Sequence, residues 1–127
     1  MDAEGTRAFV LTLPGVVETA TDTTRWGDKL VFRVGDRAIG GKMFSQIDFE
    51  DDGRAILSFA AGPEVFQELI ERDGVIPAPF RARLYWVALL RWDAVGDSEL
   101  KSLLSKATDL TFEKLPKKVQ ALLSKGK

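Results

Sequence analysis

Apolar positions recur along this chain with two periods. In residues 3–13, Phe9, Val10 and Leu13 stand at helical spacing, and Leu13-Pro14-Gly15 closes the segment. From Thr19 to Ala61 the texture is that of strands. Thr21 to Trp26 is β-branched and polar, as in an edge strand. Leu30, Phe32 and Val34 then alternate with Lys29, Val31 and Arg33, so one face is apolar. Gly35-Asp36 predicts a turn. A further strand falls within Arg37–Ser45, bent at Gly40-Gly41, and Ile47 and Phe49 begin another. Glu50-Asp51-Asp52-Gly53 is a hairpin turn from which Arg54 to Ala60 returns.

Gly62-Pro63 opens a second helix with Val65, Phe66, Leu69 and Ile70 on its apolar face, and Gly74 ends it. Val75 to Phe80 holds two prolines and reads as an ordered loop. The nearly continuous apolar run from Leu84 to Trp92 predicts a strand buried on both faces, or a central strand with one aromatic face. Asp97 or Ser98 caps a third helix with Leu100, Leu103, Leu104, Ala107 and Leu110 as its buried stripe. Leu115-Pro116 breaks that helix, and Val119 to Leu123 allows one short turn more. The order α-β-β-β-β-α-β-α, with hairpin-length turns between the early strands, predicts an α+β two-layer sandwich. Its sheet is mostly antiparallel, with the helices on one face. The 127 residues make one domain with a basic C-terminal tail from about residue 114.

Charge and composition narrow the function. The net charge is −1, yet Lys114 to Lys127 holds five lysines and no acid, so residues 1–113 carry −6. The tail reads either as a solvated, frayed terminus or as a phosphate-contacting segment. The chain has no histidine and no cysteine. That removes the commonest general base, the commonest metal ligand, the thiolate nucleophile and the disulfide, and it predicts a non-enzymatic protein without cofactor or metal. No stretch approaches a membrane span, and the acidic N-terminus lacks the order of a signal peptide, which predicts a cytoplasmic protein.

Few motifs survive inspection. Gly40-Gly41-Lys42 is not a phosphate loop, because Gly35 is one residue too far upstream and Met43 replaces the magnesium-binding hydroxyl. Glu50, Asp51 and Asp52 beside Gly53 read as solvated carboxylates, without the spacing of a calcium loop. No serine lies in a nucleophile-elbow motif. The cations Arg25, Arg33, Lys42, Arg81, Arg83 and Arg91 interleave with Trp26, Tyr85, Trp86 and Trp92. Such mixtures stack bases and neutralise phosphates, and they arise equally from a core with aromatics inward and arginines outward.

The chain resembles the MmcQ/YjbR family of small bacterial proteins. The matching pieces are Leu13-Pro14-Gly15-Val16 with Glu18, Leu30-Val31-Phe32-Arg33-Val34, Gly41-Lys42-Met43-Phe44, Gly74-Val75-Ile76-Pro77, Tyr85-Trp86-Val87 and Lys114-Leu115-Pro116-Lys117-Lys118. The family often has histidine where this chain has Tyr85, so a role for that histidine cannot operate here. The resemblance implies a fold similar to frataxin-like and secretion-chaperone-like domains, and it implies DNA binding. Two readings follow. In the first, Lys42, Arg81, Arg83, Lys117 and Lys118 contact the phosphates of nucleic acid. In the second, the domain is a protein-interaction or chaperone-like adaptor module. Trp26, Tyr85 and Trp86 are then its groove residues, and the edge at Thr21–Trp26 is open to an added strand.

Overall fold

The alternation around Phe32 gives the central sheet its two faces. In the computed structural model, which describes residues 1–24, 27–49, 55–79 and 81–125, that segment is β2 (Gly27–Val34). It is joined by β1 (Val16–Thr24), β3 (Lys42–Phe49), β4 (Ala55–Ala60), β5 (Val75–Pro77) and β6 (Trp86–Leu89). The six strands lie in the order β1-β2-β3-β4-β6-β5, and every neighbouring pair is antiparallel. Four helices complete an α+β fold: α1 (Ala3–Val10), α2 (Pro63–Ile70), α3 (Asp97–Glu113) and α4 (Lys117–Lys125).

Register assigns the faces. Leu30, Ile47, Leu57, Leu89 and Val75 oppose one another across five strands. The last four are at most 3% exposed, and α3 packs against the strands that carry the first three. The stripe of Leu100, Leu104 and Ala107 on α3 is fully buried there, and α2 adds Leu69 beside β5 and β6. One residue further along each strand, Val31, Gln46, Ser58, Ala88 and Ile76 form the corresponding row on the other face.

Several sequence expectations change. The runs Arg37–Ser45 and Ile47–Phe49 are one strand, β3, entered through a 3₁₀ turn at Arg37–Ile39 that Asp36 caps. Val75–Pro77 is a strand and not only a loop. Ile76 and Pro77 pair with β6 at the sheet edge, where proline's missing N–H costs no ladder bond. The predicted strand from Leu84 shortens to Trp86–Leu89, because Ala82–Leu84 is a 3₁₀ turn. The cap of α3 is Gly96, not Asp97 or Ser98. Asp97 instead binds the N-terminal ammonium through Oδ1 at 2.5 Å.

The segment read as a tail is helical and docked. Leu115 and Val119 are 3% and 6% exposed. A Cβ on Gly35 would lie 3.3 Å from Leu123 Cδ1, and one on Gly40 would lie 3.4 Å from Val119 Cγ2. Glycine at these two turns lets α4 approach the backbone closely, and both turns require a positive φ (82° and 96°).

Candidate functional site

Antiparallel pairing decides which chain ends meet. Val16 lies opposite Val34, Val34 opposite Lys42, Ala60 opposite Trp86 and Pro77 opposite Val87. One end of the sheet therefore collects the 3₁₀ turn at Arg37–Ile39, the start of β3 and the connection from β5 to β6. The C-terminal end of α3 reaches the same end, since a Cβ on Gly62 would lie 2.8 Å from Leu110 Cδ1. The contacts of Leu123 and Val119 hold α4 there too. Lys42, Arg83, Lys117 and Lys118 stand exposed at this end, and Arg81 is half-buried. Two further cations join them, Arg37 on the 3₁₀ turn, which sequence reading did not single out, and Lys114, read there as the start of the basic tail, on the C-cap of α3. Nothing in the sequence marks Arg37, because its company depends on strand register.

Among the described residues Arg37, Lys42, Arg83, Lys114, Lys117 and Lys118 have no ion-pair partner. Acids also occur here: Asp36, which accepts the Ala38 N–H at 2.8 Å, Glu64, which pairs with Lys106 at 3.7 Å, and Asp109 and Glu113 near the end of α3, exposed and without an ion-pair partner among the described residues. The opposite end of the sheet is different. There Arg72 holds Glu68 and Glu99, Arg91 holds Asp73 and Asp93, and Lys29 lies 3.7 Å from Asp48. Hydrogen bonding from Arg72, with a smaller Coulombic share, holds the Glu99 carboxyl below the usual carboxylate range. The same pairing, Glu99 first and Glu68 second, raises the Arg72 guanidinium. Arg72, Arg91 and Lys29 are thus paired with acids at that end, where Lys101 has only the Phe9 ring beside its ammonium at 5.7 Å, whereas those cations of the other end have no ion pair among the described residues.

The β5–β6 connection carries the aromatic part of the site. The Arg81 guanidinium stacks over the Trp86 ring, and Trp86 is 6% exposed. Trp86 is therefore a wall and not a platform for bases. Tyr85 is 44% exposed and packs edge-on against Phe66, with ring centroids 5.6 Å apart. Its backbone is left-handed (φ 62°, ψ 38°), the sole non-glycine positive φ among the described residues. That conformation is strained for a bulky side chain. Of the predicted groove residues, Trp26 lies outside the described residues, as do Arg25 and the acidic run Glu50–Asp52.

Arg81 also borders a cavity of about 270 Å³ on the sheet face away from α3. Gln46 and Ser58 form its polar floor at 5% exposure each, between Ala88, Ile56 and Ile76. Gln46 Nε2 donates to both oxygens of Asp48, at 3.1 and 2.9 Å, which fixes the amide. Nearer β1 on this face Arg33 is half-buried, and its Nε has no hydrogen-bond partner. Among the described residues no three acidic, histidine or cysteine side chains are grouped to hold a metal ion, and no helix is long and apolar enough to cross a membrane.

An antiparallel α+β sandwich with a basic end and a half-open sheet face defines the architectural class. The chain belongs to the YjbR family, whose model matches residues 11–110. A crystal structure of a Deinococcus radiodurans protein with the DUF419 domain shares the fold at 24% identity and a TM-score of 0.80, covering 97% of this chain and 88% of that one. A Pseudomonas syringae protein aligns at 19% identity and a TM-score of 0.56, over 74% of this chain and 86% of that one. No curated protein matches the chain.

Proposed function

We propose that this protein is a non-enzymatic binding domain that engages nucleic acid through the basic end of its sheet. One observation carries the reading. Cations from five separate elements (Arg37, Lys42, Arg83, Lys114, and Lys117 with Lys118) share that end without ion-pair partners among the described residues, while Lys29, Arg72 and Arg91 at the far end are paired with acids. A sequence pI of about 5.5 hides this separation, because the average cancels what the fold keeps apart. Contacts of this kind go to phosphate and confer little sequence preference. The fluorescence anisotropy of labelled DNA, titrated with protein at rising salt, tests the reading. Affinity falls linearly on a log–log plot if phosphates are being neutralised. Binding indifferent to salt, or no binding at low salt, refutes it.

A protein partner is the second reading, favoured by two features. β1 is an edge strand, open along one side to β-augmentation. Leu84 and Tyr85, 54% and 44% exposed, stand together on the β5–β6 connection.

A further inference from the structure

Polar residues form the floor of the 270 Å³ cavity where the core side of the same strands is apolar. Gln46 and Ser58 stand next in sequence to Ile47 and Leu57, which are 0% and 1% exposed against the helices. Burying an amide and a hydroxyl is unfavourable unless each finds a partner. Asp48 satisfies the amide nitrogen. The Gln46 amide oxygen and the Ser58 hydroxyl have no partner among the described residues, and neither is sealed from the cavity. Ile56, Ile76 and Ala88 continue this floor on the same sheet face, Lys29 and Asp48 line the end away from the basic one, and Arg81 forms the lip nearest it. An engineered apolar cavity of about 150 Å³ takes a benzene ring, so this one has room for a heterocycle.

We propose that the cavity receives one unpaired nucleobase, packed on Ile56, Ile76 and Ala88, its polar edge on Gln46 and Ser58, and the adjoining phosphate at Arg81. This rests on the reading of the basic end as a nucleic-acid surface and adds a selectivity to it. A base within a duplex keeps both its stack and its pairing edge, so it cannot enter. The protein therefore prefers single strands, or bases splayed from a duplex. Free nucleotides present the same chemistry as a strand, and the two sources separate in the test.

The experiment compares labelled single-stranded and duplex DNA of equal phosphate number against the full chain, and against Ala88→Leu and Ile76→Trp, which fill the cavity. Isoleucine-methyl NMR follows Ile56 and Ile76, with Ile47 on the core side as internal reference. The expected single-strand advantage is about tenfold. It falls to about one in both variants, and base protons show contacts to Ile56 and Ile76 but not to Ile47. Ile76 is half-buried on the edge strand, so its variant keeps the test intact if Ala88→Leu does not fold. Salt-sensitive binding with equal affinity for both DNAs, or an advantage that survives both substitutions, overturns the cavity assignment and leaves the basic end standing. A nucleoside monophosphate that shifts Ile56 and Ile76 while neither DNA binds does the reverse. No response to any of these ligands overturns both.

Discussion

The guanidinium carbon of Arg81 lies 5.3 Å from the centroid of the Trp86 ring. This stack joins the two parts of the site. It covers an aromatic wall that would otherwise meet water, and it holds one cation of the basic end at the lip of the cavity. Arg81→Ala removes the cation–π contact, which contributes about 0.5–1 kcal/mol at a partly exposed position. The expected result is a small drop in the urea midpoint. The salt slope of DNA binding also falls by about one contact. A drop of several kcal/mol would show that the arginine is chiefly structural.

Backbone conformation, more than side-chain chemistry, constrains position 85. Left-handed φ suits Gly, Asn, Asp and His better than other residues, and β-branched residues worst. Tyr85→Asn is therefore expected to be better tolerated than Tyr85→Val, by about 1–2 kcal/mol in urea unfolding. Equal stability of the two variants would contradict a strained left-handed Tyr85.

Gly41 has no room for a side chain. A Cβ there would lie 1.9 Å from the Gly35 carbonyl oxygen and 2.7 Å from that of Val34. These are backbone atoms, so no rotamer relieves the clash. Gly41→Ala is expected to cost about 3 kcal/mol or more and to shift the turn that presents Arg37 and Lys42. Gly96→Ser is the contrast. A Cβ at Gly96 meets nothing within 4 Å, and a serine at this N-cap adds a few tenths of a kcal/mol. Thermal melts of both proteins check the pair.

Arg72 ties the start of α3 to the end of α2 through Glu99 and Glu68. The folded-state pKa of Glu99 is depressed, so its contribution to stability is complete above its unfolded value of about 4.3. It fades as pH falls through the lower folded value. Glu99→Gln is thus expected to flatten the acid limb of stability between about pH 5 and pH 2 while changing little else. Both groups are substantially solvent-exposed, so the effect is small, within about 1 kcal/mol at neutral pH. Parallel acid limbs for the two proteins would contradict the ion pair.

Local pattern made most of the sheet legible. The alternation at Leu30, Phe32 and Val34 gave β2 its buried face, and Gly62-Pro63 marked the start of α2. β5 was missed because a three-residue edge strand containing proline has no periodicity to detect. α4 was underestimated because its apolar positions are few and its seat lies on Gly35 and Gly40, far away in sequence. Pro116 read as a breaker, yet its carbonyl accepts the Val119 and Gln120 N–H groups that begin the helix. The basic residues were visible one by one. Their shared end of the sheet was not, since it depends on which strand lies beside which. The buried floor of Gln46 and Ser58 was hidden likewise, because polar residues on one side of a strand look solvated until the β5–β6 connection is seen beside them.

The slope of log affinity against log salt tests the central claim most directly. It is measured on one DNA duplex for the native chain, for a variant carrying Arg37→Gln, Lys42→Gln, Lys117→Gln and Lys118→Gln, and for Arg91→Gln at the opposite end. The account predicts that the fourfold variant loses most of the slope and the affinity, whereas Arg91→Gln keeps both, since each neutralised phosphate adds about 0.9 to the slope. Equal slopes in all three proteins would contradict the assignment of the basic end as the binding surface.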